Sequence, residues 1–162
     1  MEPTANLAFC AHDHRQCRAT ALARAEALAD RRGLRLTPVR RRTLEILLEA
    51  HQALGAYDVL DRLAEDGFSR QPPVAYRALD FLVEHGLAHR IRRLNAFAAC
   101  LYPDVPHVPA FLICESCNAL AEAPGGGVAE ALREAARDVG FEVTRASIEA
   151  VGLCPSCREA RP

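Results

Sequence analysis

QPPVAYRALDFLVEHGLAHRIRRLNAFAACLY, residues 71–102, puts a helix and a hairpin in immediate succession. Pro72 and Pro73 suit the first turn of a helix, where a missing N–H costs nothing, and Gly86 suits its end. At about 100° per residue, Ala75, Ala78, Leu79 and Leu82 share one face and leave Tyr76, Arg77, Asp80 and Glu84 on the other. After the glycine, LAHRIRR and NAFAACLY are short, of mixed periodicity and separated around Leu94-Asn95, which predicts the two strands of a hairpin.

Upstream, AYDVLDRLAEDG reads as a helix ending at Gly67, and LTPVRRRTLEILLEA as one capped by Thr37 with Pro38 at its first position. TALARAEALADRRG predicts a further helix, from Thr20 as N-cap to Gly33 as stop. Short helices followed by a β-hairpin describe a winged helix-turn-helix, whose last helix enters the major groove of DNA. Outward-facing Tyr76 and Arg77 suit such a helix, since arginine can take a guanine bidentately and tyrosine can meet a phosphate or a thymine methyl.

Downstream, the composition changes after the proline-rich YPDVPHVP, residues 102–109, which reads as a hinge. FLICESCNALAE predicts two short strands around a knuckle. PGGGVAEALREAARDVG predicts a loop and an amphipathic helix with Val128, Leu132 and Ala135 to Val139 inward, and FEVTRASIEAVG a strand. A module of about sixty residues has little core of its own, so both a staple and a dimer partner are expected. The division is an N-terminal tail over 1–19, a winged-helix DNA-binding domain over 20–103 and a metal-binding dimerisation domain over 104–162. The fold class is α+β, a winged helix-turn-helix followed by a small α/β dimerisation domain.

The staple is in the cysteines. Cys114 and Cys117 stand 40 residues before Cys154 and Cys157, and four thiolates make the tetrahedral shell of a structural zinc. Simple ribbons space their pairs by roughly fifteen to twenty residues, so this pair of pairs encloses a helix and a strand and clips the last strand onto the first hairpin. A secreted disulfide framework fits poorly with seven cysteines, an odd number. The chain has no apolar run long enough for a membrane span and no export-type N-terminus, so it reads as soluble, without a membrane partner, and cytoplasmic.

Net charge is −1 over 162 residues but is unevenly placed. Residues 1–103 hold fifteen arginines against twelve acids, and residues 104–162 five against nine. RRGLRLTPVRRR and HRIRR could therefore meet phosphates. No catalytic constellation is present. There is no HExxH, and neither CxxC follows a strand and opens a helix as a thiol oxidoreductase requires, so the chain does not read as an enzyme.

LRLTPVRRRTLEIL, AYDVLDRL, QPPVAYRALDFLVEHGLAHR, FLICESC and GLCPSC, in this order, resemble the ferric uptake regulator (Fur) family, and within it the zinc uptake regulator (Zur) branch, over roughly residues 22–158. The resemblance implies a homodimeric, metal-dependent repressor that binds a palindromic operator in double-stranded DNA and carries two Zn2+ per chain. It places a second, regulatory zinc on His89, Cys100, His107 and Glu122. A set of one thiolate, two imidazoles and one carboxylate suits tetrahedral zinc, whereas iron or manganese favours nitrogen and oxygen alone. It also assigns Arg77 to bases, Tyr57 of the AYD motif to the DNA surface and Tyr76 to the recognition helix. Zinc then acts as corepressor of zinc-uptake genes, holding the winged helices about the hinge at the spacing of successive major grooves. The alternatives are a Fur-family sensor of iron, manganese or peroxide, and a zinc-stapled adaptor that binds no DNA.

Three features depart from the family pattern or lie outside it. The usual Thr-Val-Tyr-Arg is Val74-Ala75-Tyr76-Arg77, which removes a hydroxyl, and the glycine that usually follows the first CxxC is Asn118, a residue that tolerates the left-handed conformation. CAHDHRQC, residues 10–17, offers Cys10, His12, His14 and Cys17 either as a third metal site or as a loose tail.

Overall fold

The structure, a computed structural model, describes residue 9, residues 13–49 and residues 52–160. From residue 13 onward the described residues fall into two compact units, 13–105 and 106–160.

The N-terminal unit contains α1 (His14–Arg32), α2 (Pro38–Leu48), α3 (Ala56–Glu65), α4 (Pro72–Glu84) and a hairpin of β1 (Ala88–Ile91) and β2 (Ala96–Ala99). α1, α3 and α4 each give way to a glycine in the left-handed region, at Gly33, Gly67 and Gly86. Gly86 adopts φ 72°, and the Leu87 N–H then reaches back to the Leu82 carbonyl at 2.8 Å. That bond turns the chain directly from α4 into β1. The inward face of α4 is Ala75, Ala78, Leu79 and Leu82, all buried, as the helical wheel gives it. Ala75, Leu79 and Leu82 join Leu44, Ile46, Leu47, Val59, Leu60, Leu63 and Phe97 in one core. Each such leucine contributes about 1.5–3 kcal/mol on burial. Thr43 is the one buried hydroxyl of α2, and it donates to the Val39 carbonyl at 2.8 Å.

The wing is tied to the helices by a single-residue bridge. Leu54 exchanges both backbone hydrogen bonds with Phe97, at 2.9 and 2.8 Å, so β2 is held to the start of α3. Asp58 accepts from the Gly55 N–H at 2.9 Å and closes that helix end.

The C-terminal unit is a three-stranded sheet of order β4-β3-β5, built from β3 (Pro109–Cys114), β4 (Leu120–Pro124) and β5 (Ile148–Gly152), with α5 (Gly126–Asp138) between the last two strands and a short α6 (Pro155–Glu159) after them. β3 and β4 are antiparallel with Phe111 opposite Glu122, while β5 runs parallel to β3 with Phe111 beside Glu149. Gly125 lets α5 start against β3: a Cβ there would lie 2.6 Å from the Val108 carbonyl oxygen.

Five expectations are corrected. The first helix begins at His14, with Asp13 as N-cap accepting from the Arg15 N–H at 2.9 Å, so residues 14–19 are helix and not tail, and Thr20 lies inside it. A carboxylate cap upstream outcompeted the threonine. The strand expected over 141–152 is only Ile148–Gly152, because β3 offers it five registered partners and no more. On α5 the buried residues are Ala129 and Ala136, while Val128, Leu132 and Val139 are exposed. α6 was not expected; Cys154 serves as its N-cap and Pro155 as its first residue, so the second CxxC does follow a strand, β5, and open a short helix, contrary to the sequence reading. Finally, the arginines of VRRR are largely used within the fold. Arg42 pairs with Glu49 at 2.9 Å and Asp66 at 2.6 Å, Arg41 with Glu26 at 2.8 Å and with Glu45, and Arg40 stacks over Phe81 at 3.6 Å.

Candidate metal centres and nucleic-acid interface

The turn between β3 and β4 shapes the first CxxC. Asn118 takes φ 59°, its N–H donates to the Cys114 carbonyl at 3.0 Å, and the Cys114 N–H donates to the Ala119 carbonyl at 2.9 Å. The strand end that carries the second CxxC is brought to it by the Glu115 N–H donating to the Gly152 carbonyl at 2.9 Å. The Sγ atoms of Cys114, Cys117, Cys154 and Cys157 consequently all lie within 4.8 Å of one another.

Two distances define what this cluster can do. The Cys117 and Cys154 sulfurs are 3.7 Å apart, far beyond a disulfide at about 2.05 Å. A tetrahedral zinc with bonds of about 2.3 Å sets its sulfurs about 3.8 Å apart. The protonation chemistry agrees. Backbone N–H groups of Cys154 and Cys117 hold the Cys114 thiol down to about 6, the first of them donating to its Sγ at 3.4 Å. Cys157 behaves oppositely: a hydrogen bond with Ser116 lowers it, yet the neighbouring thiols of Cys154 and Cys117 push it up to about 12. One thiolate forms readily and opposes the next, so full ionisation calls for a cation among them.

The other four expected ligands occur as two pairs, one in each unit. In the N-terminal unit, His89 stands opposite Ala98 on the hairpin, and Cys100 lies two residues further along, so the pleat sends both side chains to one face. Cys100 is 2% exposed, and its N–H donates to the Leu87 carbonyl at 3.0 Å. In the C-terminal unit, Glu122 is buried on β4 and accepts from His107 Nε2 at 2.6 Å. Each pair offers two ligand atoms, half of what a tetrahedral ion takes.

Of the N-terminal cluster, Cys10 and His12 lie outside the described residues, whereas His14 and Cys17 sit on the first turns of α1. His14 Nε2 is 2.9 Å from the Glu49 carbonyl oxygen and so docks α1 on the end of α2.

The residues expected at DNA are on the surface. Tyr57 on α3 is 63% exposed, Tyr76 on α4 is 43% exposed, and Arg77 is exposed beside it. The Leu54–Phe97 bridge was not foreseen: it links the hairpin that carries His89 and Cys100 to the helix end that carries Tyr57, and a one-residue β-bridge leaves no periodic trace in sequence.

Residues 31–151 match the ferric uptake regulator family. The zinc uptake regulation protein of Escherichia coli (strain K12) is 40% identical over 139 residues, which span 85% of this chain and 81% of that one. A solved zinc uptake regulator complexed with zinc and DNA superposes with a TM-score of 0.80 at 38% identity, covering 88% of this chain and 96% of that one. The holo form of XcZur gives 0.77 at 35%, over 91% and 99%. Matched through both its helical and its cysteine-bearing unit, this chain belongs to the ferric uptake regulator family.

Proposed function

We propose that this chain is a zinc-responsive transcriptional repressor, a regulator and not an enzyme, which binds an operator in double-stranded DNA as a homodimer and lowers expression of zinc-uptake genes. The observation that carries the zinc reading is Cys100. A buried thiol, if shared by one ion with the imidazoles of His89 and His107 and the carboxylate of Glu122, would favour zinc over iron or manganese. Similarity to a zinc uptake regulator solved with zinc and DNA supports the same assignment.

Two zinc ions per chain are expected. Cys114, Cys117, Cys154 and Cys157 would hold the first as a closed four-thiolate staple, with no open position for catalysis. His89, Cys100, His107 and Glu122 would hold the second. Bound zinc would supply the positive charge that lets these thiols stay ionised, with His89 and Cys100 from one unit and His107 and Glu122 from the other as its ligands. Four ligands drawn from the two units can be satisfied together in one arrangement of the chain, and that arrangement is stabilised by RT ln(1 + [Zn]/Kd). In it, the winged-helix domain presents α4 to the major groove, where Arg77 takes a base edge and Tyr76 and Tyr57 contact the duplex.

The homodimer is supported by apolar surface that a lone chain leaves in water. Val128, Leu132, Val139, Phe141 and Val151 are all 40% exposed or more. No described helix is long and apolar enough to cross a membrane.

The test is DNA binding at matched free concentrations of zinc, iron(II) and manganese(II), with a duplex enriched by the zinc-loaded chain from a random pool. Zinc alone should give full binding at the lowest free metal; equal or tighter binding with iron or manganese would refute the zinc assignment.

A further inference from the structure

Helix starts commonly grip phosphate through their unsatisfied backbone N–H groups. The start of α4 has none to give. Pro72 and Pro73 lack the donor, the Val74 N–H is bonded to the Gln71 carbonyl at 2.9 Å, and the Gln71 N–H points to Ser69 Oγ at 3.4 Å. Val74 and Ala75 also carry no hydroxyl. A phosphate at this end of the helix therefore has to be held by a side chain.

Arg70, one residue before the N-cap, is exposed. Several arginines of this unit are paired with carboxylates of the fold, and others are not. Arg18, Arg41, Arg42 and Arg62 are committed to carboxylates of the fold, whereas Arg70 and Arg77 form no ion pair among the described residues. Arg77 sits inside α4 and Arg70 just ahead of it, so two uncommitted guanidinium groups flank the first turn of the helix that the DNA reading places in the groove.

We propose that Arg70 is a phosphate anchor for α4, replacing the missing backbone donors and setting affinity for the duplex without reading its sequence. This rests on the DNA-binding function proposed above. A guanidinium on phosphate neutralises one charge, whereas one on a guanine edge discriminates between bases.

The experiment uses the full-length, zinc-loaded chain and two duplexes, one enriched by the wild type from a random-sequence pool and one of the same composition with scrambled order. Affinity is followed by fluorescence anisotropy across a salt series for the wild type, Arg70→Gln and Arg70→Lys, with melting as a check on folding. Each phosphate contact contributes about 0.9 to the slope of log K against log salt. Arg70→Gln should therefore flatten the slope by ~1.8 for a dimer, weaken both duplexes by one common factor and melt like the wild type, while Arg70→Lys restores the slope. A wild-type slope in Arg70→Gln, or a loss confined to the enriched duplex, overturns the anchor role and leaves the DNA reading standing. A wild-type chain that binds neither duplex overturns the DNA reading and the anchor with it.

Discussion

Replacing Cys154 by serine tests what holds β5 in place. The strand has little burial of its own: Ile148 and Glu149 are half-buried, and Ala150, Val151 and Gly152 are exposed. Ordering its five residues costs about 5–10 kcal/mol. Roughly one bond per residue to β3 returns about 0.5–1.5 kcal/mol each, or about 2.5–7.5 in all. The shortfall is about 2–3 kcal/mol before any clip is counted, and a structural zinc contributes about 10–16 kcal/mol to the fold it closes. Cys154 is the ligand nearest the strand exit, so Cys154→Ser should lose one zinc per chain and release β5 with it. Amide hydrogen exchange read by mass spectrometry gives the result directly. Peptides covering 148–152 should exchange at the rate of open chain, while those from α2 and α4 keep their protection. Zinc loss with wild-type protection over 148–152 would refute the reasoning and return the strand's stability to burial and hydrogen bonds.

Arg77→Ala should abolish binding to an enriched duplex and leave the zinc content unchanged, checked by anisotropy and elemental analysis on one preparation; retained specific binding would count against α4 as the reading helix. Gly125→Ala puts a methyl 2.6 Å from the Val108 carbonyl oxygen, so thermal or urea melting should show a loss of about 1–3 kcal/mol. Arg42→Ala leaves Glu49 and Asp66 without their principal cation and should cost about 1–3 kcal/mol in the N-terminal unit, measured by urea unfolding at low and moderate salt.

What the sequence made legible were the features with a local cause. The inward face of α4 follows from a 3.6-residue period, and Gly33, Gly67 and Gly86 all adopt positive φ where helices were expected to stop. Asn118 takes the left-handed geometry that its place after CxxC demands, and the paired cysteines meet because their spacing closes a hairpin onto a returning strand. The failures have non-local causes. Residues 141–147 carry strand-forming side chains but meet no partner, since the length of β3 decides how much of β5 can pair. On α5 the valine and leucine stripe looks like a core face, yet Val128 and Leu132 are exposed and the buried residues are Ala129 and Ala136, because a periodic stripe does not say what will cover it. Arg41 and Arg42 looked available to phosphates although Glu45 pairs with both from the same helix, and their further acids, Glu26 and Asp66, come from elsewhere in the chain. Charge counted along a sequence does not say which charges are already paired.

The most direct measurement is zinc per chain by elemental analysis, before and after mild chelation, alongside the mass of the particle in solution. A closed four-thiolate site yields its metal slowly, whereas a site formed from two separate ligand pairs exchanges. Two zinc sites of these kinds predict a fall from two ions to one with the dimer intact. A single ion that never leaves would contradict them and remove His89, Cys100, His107 and Glu122 from any sensing role.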